Sequence, residues 1–193
     1  MLASMLDLQD LAPETPRLVS RKDFEMLGQT DFFSDDERVE LLRGVVVRLS
    51  PPAPAPPHEA AIQRLTRLLV LAIGKRAWVR VSSSWAADDW SEPQPDLSVI
   101  PLGDYEKEFP SEAWLLIEVS ISSLRKDRKI KGAIYAECRV PEYWIVNLVD
   151  GEIEVHTEPK DGRYQKIERF RKGSKIRLVK LPDIEVPVDE VLP

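Results

Sequence analysis

Two acidic side chains, Asp96 and Glu118, lie in short segments that otherwise have the composition of buried β-strands. Asp96 is in residues 94–100 (QPDLSVI), and Glu118 is in residues 114–120 (WLLIEVS). An ionised carboxylate inside so apolar a run is costly unless a partner compensates its charge. Both residues are therefore candidates for chemistry.

The spacing of the two segments predicts that these acids meet. If the segments pair as antiparallel strands with Ile100 opposite Trp114, Asp96 lies opposite Glu118, and directly opposed residues have Cβ atoms about 4.5–5.5 Å apart on one face of the sheet. Two carboxylates at this distance repel each other, and a divalent cation between them removes the repulsion. Mg²⁺ typically uses one or two protein carboxylates and keeps several waters. Taken singly, Asp96 could end a turn and Glu118 could pair with an arginine, but together they favour a metal site.

A lysine on the following predicted helix could complete such a site. Asp127, Lys131 and Tyr135 are spaced i, i+4, i+8 and so share one helical face, beside an apolar stripe. From the border of that stripe Lys131 could reach the strand ends and orient or deprotonate a water, or stabilise charge on a phosphate. The alternative is a surface ion pair of Asp127 with Lys131, worth about 0.3–0.5 kcal/mol. The spacing alone slightly favours that alternative.

The elements that would position these residues form a mixed α/β fold. Periodicity and turn signals predict a short helix near 21–28, a hairpin of 38–42 with 45–49, a long helix at 59–75, strands near 77–84, 95–100 and 113–120, a helix at 124–138, and strands at 142–148, 152–157, 163–170 and 175–181. This order predicts a central mixed β-sheet flanked by helices, with an N-terminal β-hairpin and C-terminal antiparallel strands. Residues 1–19 are expected to form a loose tail and 20–193 a single domain. The proline-rich segment 51–57 is expected to be a stiff, extended connector.

Composition excludes several classes of protein. The 193 residues carry 27 Lys and Arg against 33 Asp and Glu, a net charge of −6, which excludes a uniformly basic nucleic-acid binder. The single cysteine, Cys138, excludes a disulfide framework and a cysteine-based zinc site. No run of 18 apolar residues predicts a membrane span, and Asp7 and Asp10 make the N-terminal residues unlike a signal peptide. We expect a cytoplasmic protein with no membrane partner.

The residues also carry a resemblance to a known group of enzymes. Pro95-Asp96 followed by Glu118-Val119-Ser120 resembles the PD-(D/E)xK signature of the restriction endonuclease-like superfamily, whose common form has the lysine where this chain has Ser120. The sequence is more similar still to a bacterial family of predicted restriction endonucleases, long catalogued as a domain of unknown function, in which the lysine has moved to the following helix. The matching residues, over about 20–157, are Glu40 to Gly44, His58, Gln94 to Leu97, Glu118 to Ser123, Asp127, Lys131, Tyr135, and Val140 to Trp144. The departures are minor, with Ile121 in place of a usual Pro and Asn147 in place of a frequent Asp.

This resemblance implies a restriction endonuclease-like core and Mg²⁺-dependent hydrolysis of phosphodiester bonds in DNA, with Mn²⁺ as a substitute ion. It implies that Asp96 and Glu118 are metal ligands, that the Val119 carbonyl is a further ligand, and that Lys131 is the displaced catalytic lysine. Glu40 matches an acid that the family keeps near the site and would bind the ion through water, although a charged hairpin residue is an equal alternative.

Other residues are weaker candidates, and two histidines have simpler interpretations. The auxiliary candidates are Gln94, Ser120, Asp127, Tyr135 and His58. For His58 a helix cap or a surface position is favoured over ligation. His156 has no partner pattern and is expected on a strand surface.

The distribution of charge is compatible with DNA despite the acidic total. Residues 60–80, 124–131 and 163–180 are rich in Lys and Arg and poor in acids, so they could contact phosphates. A solvated strand edge that discourages aggregation is an equal alternative for the last of them. A homodimer formed through strands after residue 142 is a further hypothesis. The competing function is a catalytically inactive nuclease-fold module that binds nucleic acid or a protein partner.

Overall fold

A computed structural model describes residues 17–34, 36–49 and 56–193 of the chain. The helices are α1 (Arg21–Gly28), α2 (Pro56–Ile73), α3 (Leu124–Lys126) and α4 (Gly132–Glu137), with a π-helical turn at Asp127–Lys131 and 3₁₀ turns at Gly74–Arg76 and Val188–Glu190. The strands are β1 (Val39–Leu42), β2 (Val45–Arg48), β3 (Trp78–Val81), β4 (Leu97–Ile100), β5 (Leu115–Ser120), β6 (Glu142–Asn147), β7 (Glu152–Lys160), β8 (Arg163–Phe170), β9 (Lys175–Arg177) and β10 (Glu185–Pro187). Residues 124–137 run without interruption through α3, the π turn and α4, and are called the lysine helix below.

Six strands form one central sheet in the order β3-β4-β5-β6-β7-β8. Every neighbouring pair is antiparallel except β5 and β6, which are parallel. Parallel neighbours need a crossover connection, and the lysine helix supplies it. β1 with β2, and β9 with β10, form separate two-stranded antiparallel sheets. The prediction of a mixed sheet flanked by helices, with an N-terminal hairpin, is confirmed.

The two faces of the sheet are covered differently. One face packs against α2, through Leu65 and Leu69, and against the C-terminal residues 176–192. The other face packs against the lysine helix, through Ile134 and Tyr135, and against the β1–β2 hairpin. Successive side chains of β5 point to opposite faces of the sheet. Because both faces are covered, all six residues of β5 are buried.

Two of the differences between the predicted and the observed bounds have identifiable reasons. α2 begins at Pro56, so the last two prolines of the connector are helical; a proline in the first turn loses no hydrogen bond and has the φ angle that the helix needs. Residues 50–55 lie outside the described residues. The predicted strand 175–181 ends at Arg177 because the chain turns there and returns as β10, which the sequence did not indicate.

The predicted loose tail lies mostly outside the described residues, which begin at Arg17. The end of that segment is ordered against the hairpin. The amide of Val19 donates to the Gly44 carbonyl at 2.9 Å, and a Cβ on Gly44, whose φ is +79°, would be 2.7 Å from the Leu18 side chain. Residues 18 and 19 therefore do not belong to a loose tail. Among the described residues, no helix has the length and hydropathy needed to cross a membrane.

Candidate active site

The strand register places the two acids as the sequence predicts. β4 and β5 pair with Leu97 opposite Ile117 and Val99 opposite Leu115. Continuing this register by one residue puts Asp96 opposite Glu118. The acids therefore come together at the end of β4.

Asp96 is held by the main chain around it. Its Oδ2 accepts a hydrogen bond from the Val119 amide at 2.7 Å, and its carbonyl accepts from the Ser82 amide at 2.9 Å. Its side chain keeps 18% exposure, so one carboxylate edge faces solvent. This is the more accessible of the two acids.

Lys131 lies between two buried acids. Its Nζ is 2.9 Å from Glu118 Oε1 and 2.9 Å from Glu40 Oε2. It also donates to the Gln94 carbonyl, at 3.4 Å. The relative exposure of Lys131 is 2%, and that of Glu40 is 0%. The surface ion pair is therefore wrong for Lys131, and Glu40 is a charged hairpin residue that is buried beside it.

Burial and charge shift the pKa values of this cluster. Burial raises the pKa of Glu118 to about 8; Lys131 opposes the shift, and the charges of Asp96 and Asp127 add to it. Burial would lower the pKa of Lys131, but the charges of Glu118 and Glu40 outweigh it and raise the pKa. Burial also acts to raise the pKa of Glu40, but the charges of Lys131 and Lys126 outweigh it and lower the pKa. In this arrangement Lys131 is a cation. The geometry therefore supports a role in binding a phosphate or orienting a water, rather than in removing a proton as a neutral amine.

A second lysine, Lys126, belongs to the site, and the sequence analysis missed it. Its Nζ is 2.8 Å from Glu40 Oε1. In an α-helix residues five apart point about 140° away from each other around the axis. The π turn between them, closed by the bond from the Gly132 amide to the Asp127 carbonyl, stacks residues five apart. The two lysines can therefore bind one carboxylate, and no sequence signal marks the π turn.

Asp127, Ser120 and Tyr135 anchor the lysine helix to β5. Asp127 Oδ2 accepts the hydroxyls of Ser120 and Ser123, at 2.6 and 2.5 Å. The Tyr135 hydroxyl donates to Glu118 Oε1 at 2.8 Å. Asp127 forms no ion pair with Lys131 among the described residues, contrary to the alternative that the spacing favoured. Ser120, where the common motif has its lysine, instead fixes the helix that carries Lys131.

Gln94 and His58 lie at the edge of the same site. Gln94 contributes mainly through its backbone, since its amide donates to Glu40 Oε2 at 3.3 Å and its carbonyl accepts from Lys131. His58 Nε2 is 3.5 Å from Asp96 Oδ2. The contact with Asp96 raises the pKa of His58, and burial opposes this shift. His58 therefore lies half-buried against Asp96, inside the first turn of α2 and not at its N-cap.

The donor atoms at the end of β4 suit a hard divalent cation. Asp96 and Glu118 supply carboxylate oxygens, and Glu118 takes both of its hydrogen bonds on Oε1. Among the described residues, no group of three or more His, Cys, Asp and Glu side chains is arranged so that it could hold a metal ion. Two carboxylates with room for water are what Mg²⁺ typically uses, and a cation would offset the burial cost that raises the pKa of Glu118.

A second buried polar cluster lies beside the site on β7. Glu154 pairs with the Arg128 guanidinium from the π turn. His156 is 6% exposed and packs against the rings of Tyr143 and Tyr164. The expectation of a surface position for His156 is wrong because β7 is an internal strand, covered by the lysine helix. The cluster ties the π turn to the sheet.

The cationic segments are less free than their sequences indicate. In residues 163–180 five of the cations pair with acids: Lys166 with Glu168, Arg169 and Arg171 with Glu152, and Lys175 and Arg177 with Glu185. Adjacent strands supply Glu152 and Glu185, so a count along one segment could not include them. Within the described part of the chain, Arg125 and Lys129 of the lysine helix are exposed and form no ion pair.

Comparisons with known proteins give a structural match and a family match. The chain is similar to a crystal structure titled as a putative nuclease belonging to DUF820 from Anabaena variabilis, with a TM-score of 0.67 and 14% sequence identity over 91% of this chain and 97% of that one. No curated protein matches the sequence. The model of the Uma2 family, described as "Putative restriction endonuclease", matches residues 22–189. Since this match covers most of its length, the chain belongs to the Uma2 family of nuclease-like proteins.

Proposed function

We propose that the chain is an endonuclease that hydrolyses phosphodiester bonds in DNA with a divalent cation, Mg²⁺ or Mn²⁺ in its place. One observation carries this proposal. Lys131 Nζ lies 2.9 Å from Glu118, the residue opposite Asp96, so the two acids and the lysine of the PD-(D/E)xK type converge from three separate elements. Family membership supports the reaction class.

Asp96, Glu118 and the Val119 carbonyl would hold the ion. The ion would supply an activated water and neutralise charge on the phosphate oxygens. Asp96 can bind the ion without rearrangement of the backbone, because the Val119 amide already fixes its carboxylate. Glu118 is oriented by the Tyr135 hydroxyl and by Lys131 on one oxygen, which leaves the other oxygen for a cation.

Lys131 and Glu40 would act on the water and the phosphate. The ammonium group of Lys131 is desolvated, so its interaction with a phosphate oxygen or an attacking water is stronger than in bulk water. Glu40 holds that group in place through Oε2 and would reach the ion only through water. Lys126, bound to the same acid but 29% exposed, is placed to contact an approaching phosphate.

Cleavage of supercoiled plasmid DNA by the purified chain tests the proposal. We expect nicking with Mg²⁺ or Mn²⁺, none with a chelator, and none by Asp96→Ala or Lys131→Ala. Matched controls are Asp183→Ala and Lys175→Ala, whose side chains are exposed and pair with Arg76 and Glu185; both should cut like the wild type.

The remaining outcomes are also informative. Equal cutting by the wild type and both site variants would indicate a contaminating nuclease and overturn the proposal. No cutting by any of them on a panel of DNA and RNA substrates would favour the inactive module that only binds nucleic acid or protein.

A further inference from the structure

A cavity of about 930 Å³ lies beside the proposed active site, between α1, β1 and the loop 105–111, and is called the α1 cavity below. Gln94 lines it and joins it to the site, because the Gln94 amide donates to Glu40 and the Gln94 carbonyl accepts from Lys131. Asp96, Glu118 and Lys131 are not among the described residues that line it. Its volume is in the range of about 300–1,000 Å³ that is usual for small-molecule sites. The α1 cavity therefore adjoins the proposed ion site but is separate from it.

Glu92, in the wall of the α1 cavity, is a buried acid with an unused acceptor. Its amide donates to the Leu41 carbonyl at 2.8 Å, and its carbonyl accepts from the Leu41 amide at 3.2 Å, so its backbone is fixed on β1. The residue is only 3% exposed, and no group of the described residues donates a hydrogen bond to its Oε2. Burial raises the pKa of Glu92 to about 7. A buried acceptor without a donor is costly, so a ligand that brings N–H donors would be stabilised there.

Aromatic rings in the same cavity offer flat apolar surfaces. Phe33 and Tyr105 are half-buried and Phe109 is 42% exposed, and all three line the α1 cavity. Such rings stack on nucleobases whatever the base. The cavity therefore suits a planar ligand with N–H donors on its edge.

Exposed cations around the α1 cavity favour a ligand that also carries phosphate. Three of its lining cations are exposed and form no ion pair within the described part of the chain: Lys22, Arg38 and Lys107. Glu106 and Glu108 flank Lys107 in the same loop, so the rim is not uniformly basic. Free lysine and arginine side chains bind phosphate and repel a basic peptide. A nucleotide combines the planar base with this charge.

Among the four bases of DNA, guanine is the best complement to a carboxylate. Its Watson–Crick edge has two adjacent N–H donors, at N1 and N2, which match the two acceptor oxygens of Glu92. Adenine and cytosine have one amino group beside an acceptor nitrogen, and the N–H of thymine lies between two acceptor oxygens. An acceptor atom facing the carboxylate would be repelled.

We propose that the α1 cavity binds one unstacked guanine of the DNA substrate, whose N1 and N2 donate to the Glu92 carboxylate. This rests on the proposed function, because the guanine belongs to that substrate. Single-stranded or mismatched DNA unstacks a base at the least cost, so such DNA would supply the guanine most readily.

Binding of single nucleotides to the full chain in the presence of a chelator tests this proposal without an ion or cleavage. Titrations followed by NMR compare the monophosphates of deoxyguanosine (dGMP), deoxyadenosine, deoxycytidine and thymidine. The wild type should bind dGMP about tenfold more tightly than the other three, and Glu92→Gln should lose this preference. The matched control is Glu106→Gln, which removes an exposed acid of the same cavity and should keep the preference.

Guanine analogues test the wild type itself, so this result does not depend on the folding of Glu92→Gln. Deoxyinosine monophosphate lacks the N2 amino group and should bind about three- to tenfold more weakly than dGMP. The 7-deaza analogue of dGMP keeps the Watson–Crick edge and should bind like dGMP. Equal affinities for the four nucleotides, or unchanged dGMP binding by a folded Glu92→Gln, would overturn the assignment and leave the nuclease proposal intact.

Oligonucleotides distinguish DNA from a free nucleotide as the ligand. A single strand of thymines with one central guanine should bind more tightly than the same strand without it, and Glu92→Gln should remove the difference. Equal binding of the two strands by a wild type that binds dGMP would indicate a free nucleotide and overturn the DNA assignment. Tighter binding of an arginine-rich peptide than of dGMP would overturn it in favour of a basic protein segment.

Discussion

Two neighbouring residues of β5 show how differently the two faces of the sheet are used. Ile117 points into the core formed with α2, where its neighbours across the sheet are Leu97 and Trp144. Glu118 points to the lysine helix, where Lys131 and Tyr135 bind it. Both residues are buried. Burial on the first face stabilises the fold. Burial on the second face raises the free energy of the ionised Glu118 carboxylate, which the proposed reaction needs.

One acid on the apolar face shows that burial alone does not make a site. Glu142 is 1% exposed, and its carboxylate accepts from Trp144 Nε1 and the Val179 amide, both at 2.8 Å. These donors connect β6 to the C-terminal segment. Glu142 has N–H donors only, whereas Glu118 has a lysine and a second acid beside it. The two acids therefore differ in their neighbouring groups and not in how deeply they are buried.

The largest expected effect is that of Glu118→Gln. Cleavage should fall by at least about 10²–10³-fold, because the neutral amide cannot hold a cation. The free energy of unfolding should change by only about 1 kcal/mol, since the amide oxygen can still accept from Tyr135 and the buried charge is removed. Single-turnover plasmid nicking and urea unfolding measure the two quantities. Wild-type cleavage by this variant would show that the polar face is only structural.

Ile117→Ala should show the opposite pattern. The free energy of unfolding should fall by about 2–5 kcal/mol, because a fully buried side chain is truncated and leaves a cavity. The cleavage rate per folded molecule should stay close to wild type at a temperature where the variant is folded. Ile117→Val, at about 0.5–1.5 kcal/mol, is the graded control. A loss of cleavage without a loss of stability would contradict the separation of the two faces.

Glu142→Gln should change the pH dependence of stability. Burial raises the pKa of Glu142 to about 7, against hydrogen bonds from Val179 and Trp144 that lower it, whereas the usual value is 4.5. The folded state then binds the proton more tightly than the unfolded state, so the free energy of unfolding falls as pH rises between these values. Between pH 5 and 8 the variant should lose about 1–3 kcal/mol less than the wild type in urea unfolding. Parallel curves for the two proteins would show that Glu142 is ionised at its usual pKa.

The smallest expected effect concerns the two cationic surfaces. Arg125→Glu with Lys129→Glu should weaken DNA binding about three- to tenfold and lower the salt slope by about 2, because these unpaired cations flank the site. Lys175→Glu with Arg177→Glu should have little effect, because both side chains already pair with Glu185. Fluorescence anisotropy with a labelled duplex over a salt series compares them. Equal effects of the two double variants would indicate that DNA binds without regard to the site.

The sequence was most informative where local pattern and long-range contact agree. The apolar runs around Asp96 and Glu118 predicted the strands, and their lengths predicted the register that brings the acids together. The 3.6-residue period predicted α2, because one of its faces is buried along its whole length.

The features that the sequence did not predict depend on contacts that no local sequence pattern encodes. The pairing of Lys126 with Glu40 requires a π turn, and the burial of His156 requires β8 to cover the edge of β7. His58 reaches Asp96 from a helix on the other layer of the fold. The segment 163–180 has the composition of a free basic stripe, because the acids that neutralise it come from other strands.

The π turn makes the lysine helix intolerant of insertions. It already holds one residue more than an α-helical turn, so a further residue in 127–131 would rotate everything after it by about 100°. Tyr135 would leave Glu118, and Ile134 would leave the core. Lineages that diverge from this chain should therefore keep Asp127 and Lys131 and add no residue between them, while the exposed Lys129 and Ile130 vary freely.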